Sequence, residues 1–528
     1  MSKFWLFVCA VFLMIISHKG SLLAQEAKVE RWGVFEWSQR VAPIGNPFTD
    51  VRVHGIFTMG NKSDTVPGFY DGDGVFRIRY MPDTIGSWTF RTMSDMPALN
   101  GSSGRFNCIS PSKGNHGMVK VDPPHRFKYE DGKPCHPFGT TLYSWTHQGD
   151  SLEHITLKTL SRTPFNKVRM CIFPKRYDWC ENEPVFYPYV RKPSPAGTFA
   201  WDYTRFDPAF FQHLEQRIIE LGKMGVEADL ILFHPYDKGH WGFDRMDHAA
   251  NITYLRYVMA RLSAYRNVWW SVANEFDLVK TKQLWEWDSY VDLLHKEDPY
   301  GHLISVHHSM EYYDVRRPGI THASIQNGSL VENFGRAGTL RDVYGKPVIY
   351  DEVGYEGNTP RRWGNLKAEE LVHQHWQGIL AGTYVTHGET YLDPNDVIWW
   401  ARGGVLKGQS PERIGFLRRM IDTTGTFDYI DKWRNDHVSI SSDRRHILIY
   451  FGREQPAAWK FELPAKTGLP DGTRFRAEVI DSWAMTKAAI PAVFRLKKSG
   501  DYTIEDADGA DIPLGGKPYL AILLTRVD

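Results

Sequence analysis

The chain of 528 residues predicts a multidomain α/β protein, a central (β/α)8 TIM barrel flanked by N-terminal and C-terminal β-sandwich domains. Three observations predict it. Between residues 126 and 428, apolar runs alternate with amphipathic helical stretches roughly eight times, the number that closes a parallel barrel. On both sides, over 25–125 and 429–528, short strands with period-two alternation and turn residues take over. Within the central region two apolar runs end abruptly in a carboxylate, where barrel enzymes keep their chemistry.

Residues 1–24 have the form of a signal peptide: Lys3 as the positive region, an apolar stretch over 4–16 and the small Ala24 before cleavage. That stretch is too short to span a bilayer. Export to the periplasm or outside the cell is expected, with no membrane insertion after cleavage. Composition is ordinary for a globular protein, and Lys+Arg 63 against Asp+Glu 62 gives no electrostatic case for nucleic acid. Aromatic content of 14%, with 19 Trp, fits a carbohydrate partner, because rings stack on sugar faces. Four cysteines follow the leader; only Cys171 and Cys180 are placed to pair, and no zinc-type Cys spacing occurs.

Phe76-Arg77-Ile78-Arg79-Tyr80 and Trp88-Thr89-Phe90-Arg91 alternate strictly, and Asp71-Gly72-Asp73-Gly74 predicts a tight turn rather than a calcium loop. Asp122-Pro123-Pro124 marks a short, stiff exit. Barrel strands are then predicted at 138–145, 167–173, 227–233, 268–273, 303–308, 323–326, 348–352 and 383–388. Helices fall at 152–160, 207–221, 249–264, 282–295, 330–344 and 368–380. Asp207 and Pro208 supply an N-cap and a first-turn proline. An open doubly wound sheet is the alternative, but no Gly-x-Gly-x-x-Gly turn opens a helix. The glycine run at 403–408 lacks a following Gly-Lys-Ser/Thr, so it is no phosphate loop, and Pro411 starts a further helix. From about 430 the strands at 447–451, 475–480 and 519–524 form the second sandwich.

Val268-Trp269-Trp270-Ser271-Val272-Ala273-Asn274-Glu275-Phe276 is a buried strand delivering a carboxamide and a carboxylate. Alone, Asn274-Glu275 reads equally well as the cap of the next helix. Pro347-Val348-Ile349-Tyr350-Asp351-Glu352-Val353-Gly354 repeats the form. Two strand-end glutamates far apart in sequence match the needs of a glycosidase, one acid/base and one nucleophile. Strand alternation sends neighbours to opposite sides, so a Glu352 facing the sugar leaves Asp351 elsewhere.

The central region resembles the clan A retaining glycoside hydrolases, built on a (β/α)8 barrel with glutamates on strands four and seven. Ala273-Asn274-Glu275 matches the strand-four signature and Tyr350-Asp351-Glu352 the strand-seven nucleophile. Gly68-Phe69-Tyr70-Asp71-Gly72-Asp73-Gly74, the segment from Trp399-Trp400 to Leu417, and Ile480-Asp481-Ser482-Trp483-Ala484-Met485-Thr486 resemble a mostly uncharacterised bacterial group within it. Members of that group carry both sandwiches, so the resemblance spans nearly the whole mature chain. It implies Glu275 as acid/base, Glu352 as nucleophile and Asn274 as the hydrogen-bond partner of the sugar 2-hydroxyl. Where the clan often has a stacking Trp after strand eight, this chain has Thr386-His387-Gly388-Glu389, leaving Trp399 or Trp400 to take that part. The substrate-binding candidates are Asn274, His234, His308, Trp145, Tyr355, His387 and Trp399. His307 and the loop aromatics Tyr177, Trp179, Trp241 and Trp363 are weighed beside them, each against ordinary packing. No cofactor or metal is expected. Two other classes stay open: a catalytically inactive carbohydrate-binding barrel, which would not need paired glutamates, and a metal-dependent barrel hydrolase using His234, His240 and His248.

Overall fold

The computed structural model describes residues 27–326, 334–430 and 438–527; the predicted leader lies outside them, as does the start of the helix predicted at 330–344. Eight parallel strands form one barrel-like sheet. In chain order they are Gly139–Thr141, Lys167–Cys171, Glu227–Phe233, Val268–Ala273, Ile304–Ser305, Ala323–Gln326, Val348–Glu352 and Tyr384–His387. Hydrogen-bonded neighbours run five-four-three-two-one-eight-seven-six. A parallel bridge between His307 and Ser324 joins strands five and six at the remaining gap. Among the described residues, helices follow every strand except the fifth. Phe210, Phe211, Leu214, Ile218 and Leu221 of the Pro208–Lys223 helix are all buried, and Asp207 caps it as its carboxylate accepts from Ala209 N.

The inside of the sheet is charged. Lys167, Arg169, Asp229 and Asp351 are each at most 1% exposed. Lys167 Nζ lies 2.7 Å from Asp229 and 2.9 Å from Asp351. Ser324 and Thr386 donate to Asp351 at 2.6 and 2.8 Å. Alternate residues of strand two thus point inward, while Val168 and Met170 pack outward against the helices in the large apolar core.

One three-stranded sheet, Val119–Asp122, Arg126–Tyr129 and Pro134–Cys135, corrects the expected boundary at 125/126, which cuts between paired strands. Its Phe127 ring packs 5.4 Å from Trp269 and 5.3 Å from Tyr384, near the starts of strands four and eight. It covers the end of the barrel-like sheet opposite the catalytic candidates.

The N-terminal region is a seven-stranded sheet over its own aromatic core of Phe35, Phe57, Phe76, Tyr80, Trp88 and Phe106. Its joint to the helices is ionic and buried. Arg79 donates to Glu215 at 2.5 and 3.1 Å and to the Arg261 carbonyl at 2.8 Å. Arg261 reaches Glu215 and Asp71, each at 2.8 Å. Phe69 lies beneath both guanidiniums, at 4.9 and 4.5 Å. The Asp71-Gly72-Asp73-Gly74 turn is therefore the place where the N-terminal sheet meets the helices. Removing one partner of such a network leaves buried charges unpaired, at a cost of about 3–5 kcal/mol. Glu215→Ala is expected to lower the melting temperature and to let limited proteolysis release a fragment ending near residue 125, whereas the wild-type chain resists that cut. An unchanged melting temperature would show that the joint does not carry stability.

The C-terminal region is an eight-stranded sheet, and Leu448, Tyr450, Ile480, Ala521 and Leu523 pack on helices Ala368–Leu380 and Ser410–Thr424. Trp483 adds a second tie: the Arg413 guanidinium lies 3.8 Å from its ring centroid and donates to its carbonyl at 3.1 Å. Cys171 and Cys180 are both free and buried, so the pairing considered for them is not made.

Candidate active site

Strand four ends at Ala273, and the chain turns sharply at Glu275, whose φ of 48° lies in the left-handed region. A side chain with a Cβ pays for that conformation in strain, which persists where surrounding contacts over-determine it. Here His307 does so. Its Nδ1 accepts from Glu275 N at 3.4 Å and its carbonyl accepts from Phe276 N at 3.0 Å. Burial drives the His307 imidazole well below its usual pKa, so the neutral ring is available as an acceptor. The Glu275 carboxylate accepts a short hydrogen bond from the Tyr236 hydroxyl, and Asn274 Nδ2 donates to the same hydroxyl at 3.0 Å.

Glu352 closes strand seven. Its carboxylate accepts a short hydrogen bond from the Tyr143 hydroxyl, beyond strand one, and lies 3.5 Å from Arg169 Nη1. Arg169 also donates to Tyr143 at 3.1 Å. Asp351 is absorbed by the ionic layer below, so of the two neighbours only Glu352 reaches the mouth. Glu275 is raised to about 7, first by burial and next by the negative charge of Glu352; Gln326, Lys175 and Ser309 act in the opposite direction. Such a carboxyl holds its proton near neutrality, as a general acid must.

Lys175 stands between these pairs. It is 2% exposed, and its ammonium lies 3.8 Å from the Tyr143 ring centroid, 4.2 Å from that of Tyr236 and 4.1 Å from that of Trp400. Trp400 belongs to an aromatic wall with Tyr355, Trp363, Tyr177 and Trp179. Gly388 is what lets Tyr355 in: a Cβ there would sit 2.0 Å from the Tyr355 ring. Tyr355 and Trp400 thus stand together beside the end of strand eight.

Several predicted residues sit elsewhere. Trp145 is fully buried with its Nε1 on Met170 Sδ at 3.4 Å, inside the main core. Trp399 donates to Thr140 Oγ1 at 2.9 Å and also belongs to that core. His387 hydrogen-bonds Thr140 at 3.0 Å and stacks on Phe165. Its neighbour Thr386 holds Asp351 inside the sheet, so alternation turns His387 outward. His234 bonds the Phe173 carbonyl at 3.1 Å and accepts from Tyr236 N at 3.1 Å, bracing the tyrosine. His308 packs on Tyr312 at 4.2 Å. The three histidines of the metal reading are not assembled: His234 is engaged as described, His240 pairs with Glu183 at 2.5 Å, and His248 stacks on Tyr290 at 5.5 Å. Glu356, His387 and Glu389 do cluster. Both carboxylates are already committed to backbone N–H groups of Lys407, Gly408, Gln409 and Ser410 at 2.7–3.0 Å, holding the start of the Ser410–Thr424 helix.

Sequence reasoning missed Tyr143, Tyr236, Arg169 and Lys175. One signal was present: Tyr236 lies two residues after His234 at a strand end, where a polar side chain meets the mouth.

The model of the apiosidase-like catalytic domain matches residues 123–438. Two domains of unknown function match the flanks, at 28–95 and 433–525. A solved Bacteroides vulgatus protein, classed provisionally as a glycoside hydrolase, is 44% identical over 95% of this chain and all of its own, with a TM-score of 0.93. A family 5 glycoside hydrolase from the same species shares the fold at 12% identity, covering 78% of this chain and 94% of its own, with a TM-score of 0.54. No curated protein is similar to the chain.

Proposed function

We propose that this chain, which belongs to the apiosidase-like catalytic-domain family, is an exported retaining glycoside hydrolase whose two glutamates act across the mouth of a (β/α)8 barrel carrying two β-sandwiches. The glycoside hydrolase likeness extends through the 44%-identical relative. The observation that carries the retaining reading is the pairing of two strand-end carboxylates, each held by its own tyrosine, with Glu275 protonated up to about 7 and Glu352 beside it.

Glu352 attacks the anomeric carbon as Glu275 gives its proton to the glycosidic oxygen. The C–O bond to the leaving group breaks and an ester to Glu352 forms. Glu275, now a carboxylate, takes a proton from water, whose oxygen attacks the same carbon and returns Glu352 as a carboxylate. Arg169 and Tyr143 stabilise Glu352 as the departing anion in the second step. Tyr236 orients Glu275 in both. Asn274, through Tyr236, is placed to meet the sugar beside the acid.

The family's description makes apiosides the first glycosides to test, followed by a panel of plant and algal polysaccharides. With Glu275→Ala, turnover of a poor leaving group is expected to be nearly abolished. Azide should restore turnover of an activated aryl glycoside and give a glycosyl azide of retained configuration, because such a leaving group needs no acid and azide can attack the glycosyl-enzyme. Wild-type rates without azide would remove Glu275 from the mechanism. Because Glu275 must be protonated, activity is expected to fall as pH rises through about 7, and a pH-rate profile checks this.

A further inference from the structure

Among the described residues, Lys175 is a buried cation of the mouth to which the two-glutamate reaction gives no task. It follows strand two in Phe173-Pro174-Lys175. Among the described residues it forms no ion pair within 4.0 Å, and what it touches is aromatic faces. An ammonium over a phenol ring is attracted by the ring's negative face and makes the hydroxyl a stronger donor. The two tyrosines it touches, Tyr143 and Tyr236, are the two that hold Glu352 and Glu275. One cation therefore sits against both tyrosine–glutamate pairs.

The charge balance of a double displacement gives this placement a purpose. In the resting site Glu352 is the anion and Glu275 is protonated. In the glycosyl-enzyme Glu352 is a neutral ester and Glu275 is the anion. The mouth holds one negative charge in both states, and that charge crosses from one glutamate to the other. We infer that Lys175 is a positioning residue that balances this single travelling charge, gripping both tyrosine–glutamate pairs so that either glutamate can be the anion. The groups facing it are Glu275 at the end of strand four, Glu352 at the end of strand seven, the thiols of Cys171 and Cys180, the His234 ring and the phenols of Tyr143, Tyr177 and Tyr236. Burial lowers the Lys175 ammonium to about 8, with both glutamates and both thiols opposing. The charge is thus present at neutral pH, and the neutral amine appears in alkali.

This inference rests on the two-glutamate reading, so its test does not depend on turnover. The protonated Glu275 carboxyl can be followed in the full-length enzyme by infrared titration of its C=O stretch, assigned by its loss in Glu275→Gln. In Lys175→Met the cage is filled but the charge is gone. The Glu275 midpoint is expected to rise by about one pH unit or more, a tenfold tighter hold on the proton, while Lys175→Arg leaves it within a few tenths of wild type. Should the methionine variant fail to fold, Lys175→Gln keeps a polar head in the cage and carries the same expectation. A folded uncharged variant with an unmoved midpoint overturns the inference, whatever happens to its melting temperature, because packing alone would change stability without touching the titration. A moved midpoint with a first product of inverted configuration would keep the hold of Lys175 on Glu275 but remove the double displacement, and with it the travelling charge.

Discussion

Glu352→Ala is expected to lower kcat by a factor on the order of 10⁴ or more, the scale on which loss of a covalent nucleophile is felt. The structure gives reasons for the size of the effect. Among the described residues, Glu352 is the carboxylate to which Tyr143 donates, and Arg169 lies beside both. Its nearest acidic neighbour in sequence, Asp351, cannot replace it, being tied to Lys167, Ser324 and Thr386 inside the sheet. Substrate binding should survive, since the aromatic wall of Trp400, Tyr355 and Trp363 is untouched. Steady-state kinetics with isothermal titration of the same substrate separates the two. Activity within tenfold of wild type would place the nucleophile elsewhere.

Lys167→Met is expected to lower stability by about 3–5 kcal/mol. The change leaves Asp229 and Asp351 facing each other in a fully buried layer, with only Arg169 nearby, at 3.9 Å from Asp351. The pH dependence follows from the native charges. Lys167 and Arg169 hold Asp351 well below the usual carboxylate range. A depressed carboxyl contributes stability that is full above its unfolded pKa of about 3.9 and is lost as pH falls toward the folded value. Burial and the charge of Asp351 raise Asp229 in spite of Lys167, so losing the lysine hurts both aspartates while they are ionised. The gap in melting temperature between variant and wild type should be widest near neutrality and should narrow as pH falls toward about 4 and below it. A gap that stays constant across pH would mean that the layer is stabilised by packing rather than by charge.

The strand-end position of the two glutamates was legible because each sits where a largely apolar run stops. The barrel-like alternation was legible for a related reason: both faces of each strand are covered, so most runs are apolar apart from small hydroxyl residues such as Ser271 and the ionic interior. That exception hid the burial of strand two, though not the strand itself. Lys167-Val168-Arg169-Met170 alternates as a half-exposed strand would, yet every one of these residues is buried. Its polar face meets Asp229 and Asp351, which lie far off in sequence. The sugar-contact candidates were chosen by residue type at strand ends, and type does not give direction. Parity was the missing tool: Thr386 hydrogen-bonds Asp351 inside the sheet, so His387 had to face out. The Asp71-Gly72-Asp73-Gly74 turn was visible from its residues, and Val75 N bonds the Gly72 carbonyl at 2.8 Å as a tight turn requires. Its position at the ionic seam was not visible, because Glu215 and Arg261 are brought to it only by the fold. Lys175 gave no signal at all, since a lone lysine in an aromatic loop is ordinarily solvated.

The stereochemistry of the first-formed product tests the two-glutamate mechanism most directly. With Glu352 attacking the anomeric carbon and Glu275 activating the water that follows, two inversions occur at one centre. NMR recorded within the first minutes of hydrolysis, before mutarotation, should show a product with the substrate's own anomeric configuration. A fluorosugar matched to that substrate should add its mass to the peptide carrying Glu352. A first product of opposite configuration would mean direct attack by water, and the assignment of Glu352 as nucleophile would have to be abandoned.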